Sequence, residues 1–384
     1  MTQVTGAWLQ DARAQAVLST LTKAGFEAHF VGGCVRNALL NTPVSDIDIA
    51  TNAPPETTTQ LAEAAGFRVI ATGQAHGTVT VLSDGLACEV TTWRRDLATD
   101  GRRAVVAFTN DIVEDARRRD FTMNALYCDA HGKVLDPLGK GLSDLQARRV
   151  RFIENAEKRI REDYLRILRF FRFYAWYGDE RRGFDPDALA AIASLTCGLE
   201  TLSKERIGHE VLKLLAAPNP APALAGMAQT GVLVKVLPGA SPTSLPDLTH
   251  LEASIDVAPD PLRRLAALGR IDGIQDHLRL SRKQIKHLRL LLDGVESGEA
   301  PATLAWRHGI GLAREILLLR AAMLAQPLAS DLEKTLAFGA VQEFPLRSVD
   351  LAPLSGAALG ARLKQLEARW LASGFTLTRE ELLG

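Results

Sequence analysis

The sequence predicts an α+β fold in which a mixed sheet with helices is followed by an all-α remainder. Up to about residue 136, short β-branched runs alternate with helical stretches. After Pro137 the chain changes to long segments rich in Leu, Ala and Arg, with helical periodicity and almost no strand signal. At 384 residues it also exceeds what one core usually supports, so two to four domains are expected. Breaks at Gly139 to Gly141, at Ala216 to Ala223 and around Pro301 set the expected divisions at 1–137, 138–216, 217–300 and 301–384.

Ala28, Phe30 and Val31 make the first expected strand. Gly32 and Gly33 follow it, letting backbone N–H groups approach a phosphate where a Cβ would collide, and Arg36 is then placed to hold a triphosphate. Val44, Ile47 and Ile49 bracket Asp46 and Asp48 in a second strand, whose two-residue period points both carboxylates to one face. Two like charges held that close, with no basic residue between them, suit a cation, and hard oxygen ligands suit Mg²⁺. A Gly-Gly turn or a solvated Asp-x-Asp is ordinary alone; their joint order is what points to nucleotidyl transfer.

Further strands are expected at Val79 to Leu82, Ala87 to Thr92, Ala104 to Phe108 and Ala125 to Tyr127. Glu89 is an isolated acid within one of them. On its own it reads as an edge residue facing solvent. A two-metal site, however, needs a third carboxylate from a neighbouring strand, and Glu89 is the candidate. The polar, glycine-bearing stretch from Trp93 to Arg103 is expected to be a mobile loop. The run Arg117-Arg118-Arg119-Asp120-Phe121-Thr122-Met123-Asn124-Ala125 then passes straight from charge into apolar residues, so it is either a wet face or a packed anion site.

No Gly or Pro interrupts Arg159 to Phe173, which therefore reads as one largely enclosed helix. It carries Arg166, Arg169 and Arg172, whose desolvation costs several kcal/mol each unless anions pair with them. Bound triphosphate and RNA phosphates would serve, as would Glu162, Asp163 and other acids. Asp163 and Arg166, three residues apart, also offer a base-reading pair. Cytosine and adenine share an exocyclic amino donor beside a ring-nitrogen acceptor, which a carboxylate and a guanidinium match. Uracil and guanine reverse both contacts. Downstream, Ser203 is a plausible helix N-cap, and Ser281 to Leu292 is a basic amphipathic helix suited to RNA backbone or to a solvated face.

The formal net charge is zero, 45 Lys and Arg against 45 Asp and Glu, so any RNA-gripping surface must be local. Cys34, Cys88, Cys128 and Cys197 have no paired spacing, which argues against a zinc site or a disulfide framework and fits a reducing cytoplasm. Neither a signal peptide nor an uncharged run long enough to span a membrane is evident.

The segment from Gly32 to Thr51 resembles the signature of the class II tRNA nucleotidyltransferase and bacterial poly(A) polymerase superfamily: Gly-Gly-x-Val-Arg-Asp-x-Leu-Leu, a spacer, then Asp-x-Asp. It departs from that pattern at Asn37, which keeps an acceptor oxygen but loses the charge. The resemblance covers about residues 28 to 215, with five motifs in the family's order, and a second departure at Lys140, which separates two glycines. It implies that Glu89 is the third acid of a set with Asp46 and Asp48 that binds two Mg²⁺. It implies that Arg119 touches the nucleotide, that Asp120 and Asn124 lie at or near the ribose, and that Arg169 and Arg172 are further nucleotide and phosphate contacts. Glu162-Asp163-Tyr164-Leu165-Arg166 is similar to the family's nucleotide-selection motif, Ser203 to Glu210 to its last shared motif, and Arg94 to Arg103 to the loop that distinguishes enzymes adding all of CCA.

The resemblance further implies a polymerase-β-like head, then an all-α neck, body and tail that hold the acceptor and TΨC arms of tRNA. The implied activity is template-independent addition of CCA to tRNA 3′ ends from CTP and ATP. Two rivals remain at this point: a poly(A) polymerase, which shares the head and neck motifs, and a non-catalytic RNA-binding module with a decayed site.

Overall fold

A computed structural model describes residues 2–73, 77–100 and 103–384. Seven strands form one mixed sheet: β1 (Ala28–Val31), β2 (Ile47–Thr51), β3 (Arg68–Gly73), β4 (Thr78–Ser83), β5 (Leu86–Thr92), β8 (Tyr127–Cys128) and β9 (Val134–Leu135), in the order β3-β4-β5-β2-β1-β8-β9. All pairings are antiparallel except β2 with β5, which run parallel. That exception matters, because a parallel neighbour sets residues of similar depth side by side at the same strand ends. Val31, Ala50, Trp93, Ala125 and Tyr127 fill a buried cluster beneath β1 and β2.

The stretch expected to be a mobile loop is instead a two-stranded ribbon, β6 (Arg94–Asp100) paired with β7 (Arg103–Phe108). The antiparallel pairing supplies the backbone hydrogen bonds that a solvated loop would lack. Gly101 and Arg102, part of that expected loop, lie outside the described residues. Asp46 also differs from expectation, standing just before β2 rather than within it.

The expected single helix from Arg159 to Phe173 is two helices, Ala156–Glu162 and Leu165–Tyr177. The break is at Asp163, whose φ of −157° and ψ of 106° are extended. Its carboxylate accepts a hydrogen bond from the Leu165 N–H at 3.1 Å, so a short polar side chain outcompetes the helical ladder without any Gly or Pro. Tyr164 then lies on Gly198, where a Cβ would meet its ring at 2.0 Å. The second helix is stitched to the head by aromatic packing: Phe121 lies 5.1 Å from Phe152 and 5.0 Å from Phe173, and Phe152 stacks on Phe170 at 5.5 Å.

Two compact units are present, one of residues 1–238 and 273–279, the other of residues 239–272 and 280–384. The first unit runs past the expected division at 216 because the helix Ala221–Gln229 packs on Leu165–Tyr177, with Gly226 against Phe171 and Phe184. The second unit is helical throughout its described elements. Its helices include Leu245–Ser254, Arg282–Ser297, Pro301–Met323 and Gly356–Ala372. Its interior holds Glu252 between Arg263 and Arg264, each at 2.8 Å, and a cluster around Leu366 and Trp370.

Candidate active site

The parallel register of β2 and β5 sets Asp48 opposite Glu89. Asp48 is half-buried, whereas Asp46 and Glu89 are exposed. Burial first, then the Glu89 charge, with a smaller contribution from Asp46, pushes the Asp48 carboxyl up to about 6 against the opposing pull of Arg119 and Arg36. Among the described residues none of the three acids has a Lys or Arg within ion-pair distance, and Asp46 accepts only from the Ser45 hydroxyl at 3.1 Å. Carboxylate oxygens with no directly paired Lys or Arg have the donor chemistry of a Mg²⁺ site. Among the described residues only Asp260, His287 and Glu315, in the second unit, bring three ligand atoms within 4.8 Å of one another.

Asp48 stands on the wall of a cavity of roughly 520 Å³ that also includes Gly32, Arg36, Arg119, Asn124, Asp163 and Arg166. Gly32 turns the chain from β1 into the helix Gly33–Leu39 with φ of +71°, a conformation that favours glycine. A Cβ there would lie 3.5 Å from the Arg119 guanidinium. Arg36, one turn on, is 7% exposed and stacks over the Tyr177 ring at 4.2 Å. It donates to Asn37 Oδ1 at 2.9 and 3.1 Å, to Asn124 Oδ1 at 2.5 Å and to the Tyr177 hydroxyl at 2.9 Å. All of those acceptors are neutral, and burial lowers the Arg36 pKa.

Five other arginines of the cavity, Arg118, Arg119, Arg166, Arg169 and Arg206, are paired with acids. Arg118 and Arg119 meet the fully buried Asp115 at 2.7 and 3.2 Å, and Asp115 also accepts from Tyr127 at 2.7 Å. Arg169 donates to Asp120 at 2.8 Å, while Asp120 further accepts from Asn124 at 2.9 Å. Burial alone would raise the Asp120 pKa, but Arg169 and Asn124 override it and hold the group well below the usual carboxylate range. Arg172 meets Glu210 at 2.5 Å and Arg166 meets Glu162 at 2.6 Å. Of the two sources of compensation open to Arg166, Arg169 and Arg172, the protein's own carboxylates are therefore the ones in place.

Asp163 and Arg166 both face the cavity but do not pair with each other. Asp163 is held by Arg206 at 2.7 Å. Arg166 also donates to the Arg159 carbonyl at 2.8 Å. Arg159, 5% exposed, bonds Glu162 and the Arg118 carbonyl and donates to the Arg119 carbonyl at 2.6 Å. This clamp ties the arginine run to the segment carrying Asp163. Sequence reasoning missed Asp115, Arg159, Tyr177 and Arg206 as parts of the site. Asp115 was within reach, being an acid three and four residues before two arginines at a helix end; Tyr177 had no such signal.

The chain is similar to known families and structures. Residues 28–151 match the poly A polymerase head domain, and residues 183–243 match a probable RNA and SrmB binding site of polymerase A. The human mitochondrial CCA tRNA nucleotidyltransferase 1 is 32% identical over 385 residues, which cover 96% of this chain and 88% of the human one. The chain belongs to the CCA tRNA nucleotidyltransferase family. A family member from Streptococcus pneumoniae, named as a CCA-adding enzyme, is 38% identical over 81% of this chain and 78% of its own. The Bacillus stearothermophilus CCA-adding enzyme in complex with CTP superposes with a TM-score of 0.72 at 27% identity, covering 96% of this chain and 94% of that one. No helix among the described residues is long and apolar enough to cross a membrane.

Proposed function

We propose that this nucleotidyltransferase rebuilds the CCA end of tRNA from CTP and ATP, the cavity between Asp48 and Asp163 being its nucleotide site. The observation that carries the reading is that one cavity joins Asp48, which β2 and β5 set opposite Glu89, to Asp163 and Arg166. Asp46, Asp48 and Glu89 would hold Mg²⁺. Two such ions, when bound, acidify the tRNA 3′-hydroxyl and neutralise the charge of departing pyrophosphate. Arg36 and Arg119, with the backbone at Gly32 and Gly33, fix the triphosphate. Asp120 and Asn124 orient the ribose edge through their mutual hydrogen bond, with Arg169 holding Asp120 and Arg172 held in turn by Glu210.

Base choice falls to Asp163 and Arg166. The carboxylate accepts from the amino group of cytosine or adenine while the guanidinium donates to the ring nitrogen; uracil and guanine oppose both contacts. The helical residues 217–384 are assigned to the acceptor and TΨC arms. A cytoplasmic location is part of the proposal and rests on four free cysteines, three of them buried, which suit a reducing compartment; the vertebrate relatives are named as mitochondrial.

The test is purified protein with tRNA lacking its 3′ end, Mg²⁺, and CTP or ATP singly and together. Two C residues followed by one A are expected. ATP-only tails of open length would replace this reading by that of a poly(A) polymerase, and an absence of incorporation alongside tRNA binding would reduce the chain to an RNA-binding module.

A further inference from the structure

Tyr177 is the last residue of the helix Leu165–Tyr177 and lies 141 positions from Arg36, yet its ring and its hydroxyl both meet the Arg36 guanidinium. The guanidinium carbon stands 4.2 Å from the ring centroid, and Nη2 donates to the hydroxyl at 2.9 Å. Phe173, one turn earlier, is 5.2 Å from the same guanidinium and 5.5 Å from the Tyr177 ring. Two rings of one helix therefore cup one cation, whose charge is attracted to their faces. The end of that helix is itself anchored, because Trp176 Nε1 donates to the Lys213 carbonyl at 2.9 Å. Phe173 is on the wall of the cavity, whereas Tyr177 is not among the residues that line it.

A guanidinium has five N–H bonds in a fixed fork, so its orientation decides which of them a ligand can meet. Here Nε and Nη2 each donate to Asn37, Nη2 also to Tyr177, and Nη1 to Asn124. Among the described residues one N–H, on Nη1, is left over. Tyr177 takes the opposite edge and one face of the group, which prevents the fork from turning. We propose that Tyr177 is a positioning residue for the triphosphate, fixing Arg36 through its ring and hydroxyl so that the Nη1 edge is left for a phosphate oxygen. The proposal rests on the nucleotide reading of the cavity given above, in which Arg36 meets the triphosphate and Tyr177 acts only through Arg36.

The experiment measures CTP binding to the full chain by calorimetry in EDTA, so that only protein groups contribute, with UTP binding and melting temperature followed in parallel. Tyr177→Phe keeps the ring and removes the hydroxyl, and should weaken CTP binding roughly three- to tenfold, the scale of one net hydrogen bond. Tyr177→Leu removes the ring as well and should lose more, up to about 30-fold. In an Arg36→Ala background Tyr177→Leu should cost nothing further, because a residue that acts through Arg36 then has nothing to position. The ratio of CTP to UTP affinity should stay at the wild-type value in Tyr177→Phe; a shifted ratio would mark a general disturbance of the cavity and overturn the proposal. Wild-type CTP binding by both Tyr177 variants, with Arg36→Ala defective, would overturn the role of Tyr177 while leaving that of Arg36. Additive losses in the double variant would overturn it too, since Tyr177 would then act by another route. Wild-type CTP binding by Arg36→Ala would overturn the nucleotide reading of this end of the cavity. If Tyr177→Leu melts below the working temperature, Tyr177→Phe takes its place in the double variant, with the same outcomes deciding.

Discussion

Asp163 and Arg206 form an ion pair of 2.7 Å that reaches from the break between two helices to the first turn of a third, Lys204–Leu215. Ser203 caps that third helix by accepting from the Arg206 N–H. The pair therefore fixes the Asp163 carboxylate, to which base reading is proposed to fall, from outside its own segment.

It follows that Asp163→Ala and Arg206→Ala should both relax base choice, the first by removing the acceptor and the second by releasing it. A mismatched buried polar group costs about 1–3 kcal/mol, so UTP incorporation relative to CTP should rise by roughly 5- to 150-fold in Asp163→Ala. The rise should be smaller in Arg206→Ala. Single-turnover rates with each nucleotide measure it. Unchanged CTP-to-UTP discrimination in Arg206→Ala would show that the ion pair does not orient Asp163.

The Asp48 carboxyl makes a prediction about pH. It holds its proton up to about pH 6 in the fold, pushed up by burial and by Glu89, whereas an unfolded aspartate titrates near ~4. Between those values the folded chain binds more protons, so this group makes stability fall as pH rises. Asp120 does not obscure that window. Its depressed pKa contributes stability above the unfolded value, and that stability is lost only at lower pH. Mg²⁺ must displace the Asp48 proton, so the rise in melting temperature on adding Mg²⁺ should grow from pH 5 to pH 7 and vanish in Asp48→Asn. A Mg²⁺ shift independent of pH would argue against Asp48 as a ligand.

The motifs and the sheet-then-helix order were legible because they depend on local pattern. β-branched runs, the Gly32 turn and Ser203 all act on neighbours in sequence. The break at Asp163 was not legible by rules that look for Gly and Pro, since it comes from an aspartate whose carboxylate accepts from the Leu165 N–H two residues on. The strand at Ala104 to Phe108 was legible, but its partner at Arg94 to Asp100 was obscured because a polar, charged strand lacks the apolar alternation that marks a half-buried sheet. The partners of the site arginines are far away in sequence: Glu210 is 38 residues from Arg172, and Asp120 is 49 from Arg169. No periodicity encodes those pairs.

Arg159 should behave as the keystone of the site rather than as a nucleotide contact. Its guanidinium satisfies two backbone carbonyls of the arginine run and neutralises Glu162. Arg159→Met should cost about 3–5 kcal/mol, the scale for breaking a buried ion pair by removing one partner. Arg159→Lys should recover only part, since one ammonium cannot replace the forked contacts. Urea unfolding measures the cost. A loss under about 1 kcal/mol, the range of a surface pair, would mean that the clamp is solvated.

Glu252 provides the counterpart in the second unit. It is 2% exposed and lies at 2.8 Å from both Arg263 and Arg264, themselves almost wholly buried. Arg263 also donates to the Ala258 carbonyl at 2.6 Å. Glu252→Gln removes the compensating charge while preserving shape, so two buried cations would face each other across an amide. The expected loss is about 3–5 kcal/mol, with melting at lower temperature. Because Glu252 lies in the second compact unit and the proposed nucleotide cavity in the first, CTP binding below the new melting temperature should be unchanged. A parallel loss of CTP affinity would show that this cluster bears on the nucleotide site as well as on stability.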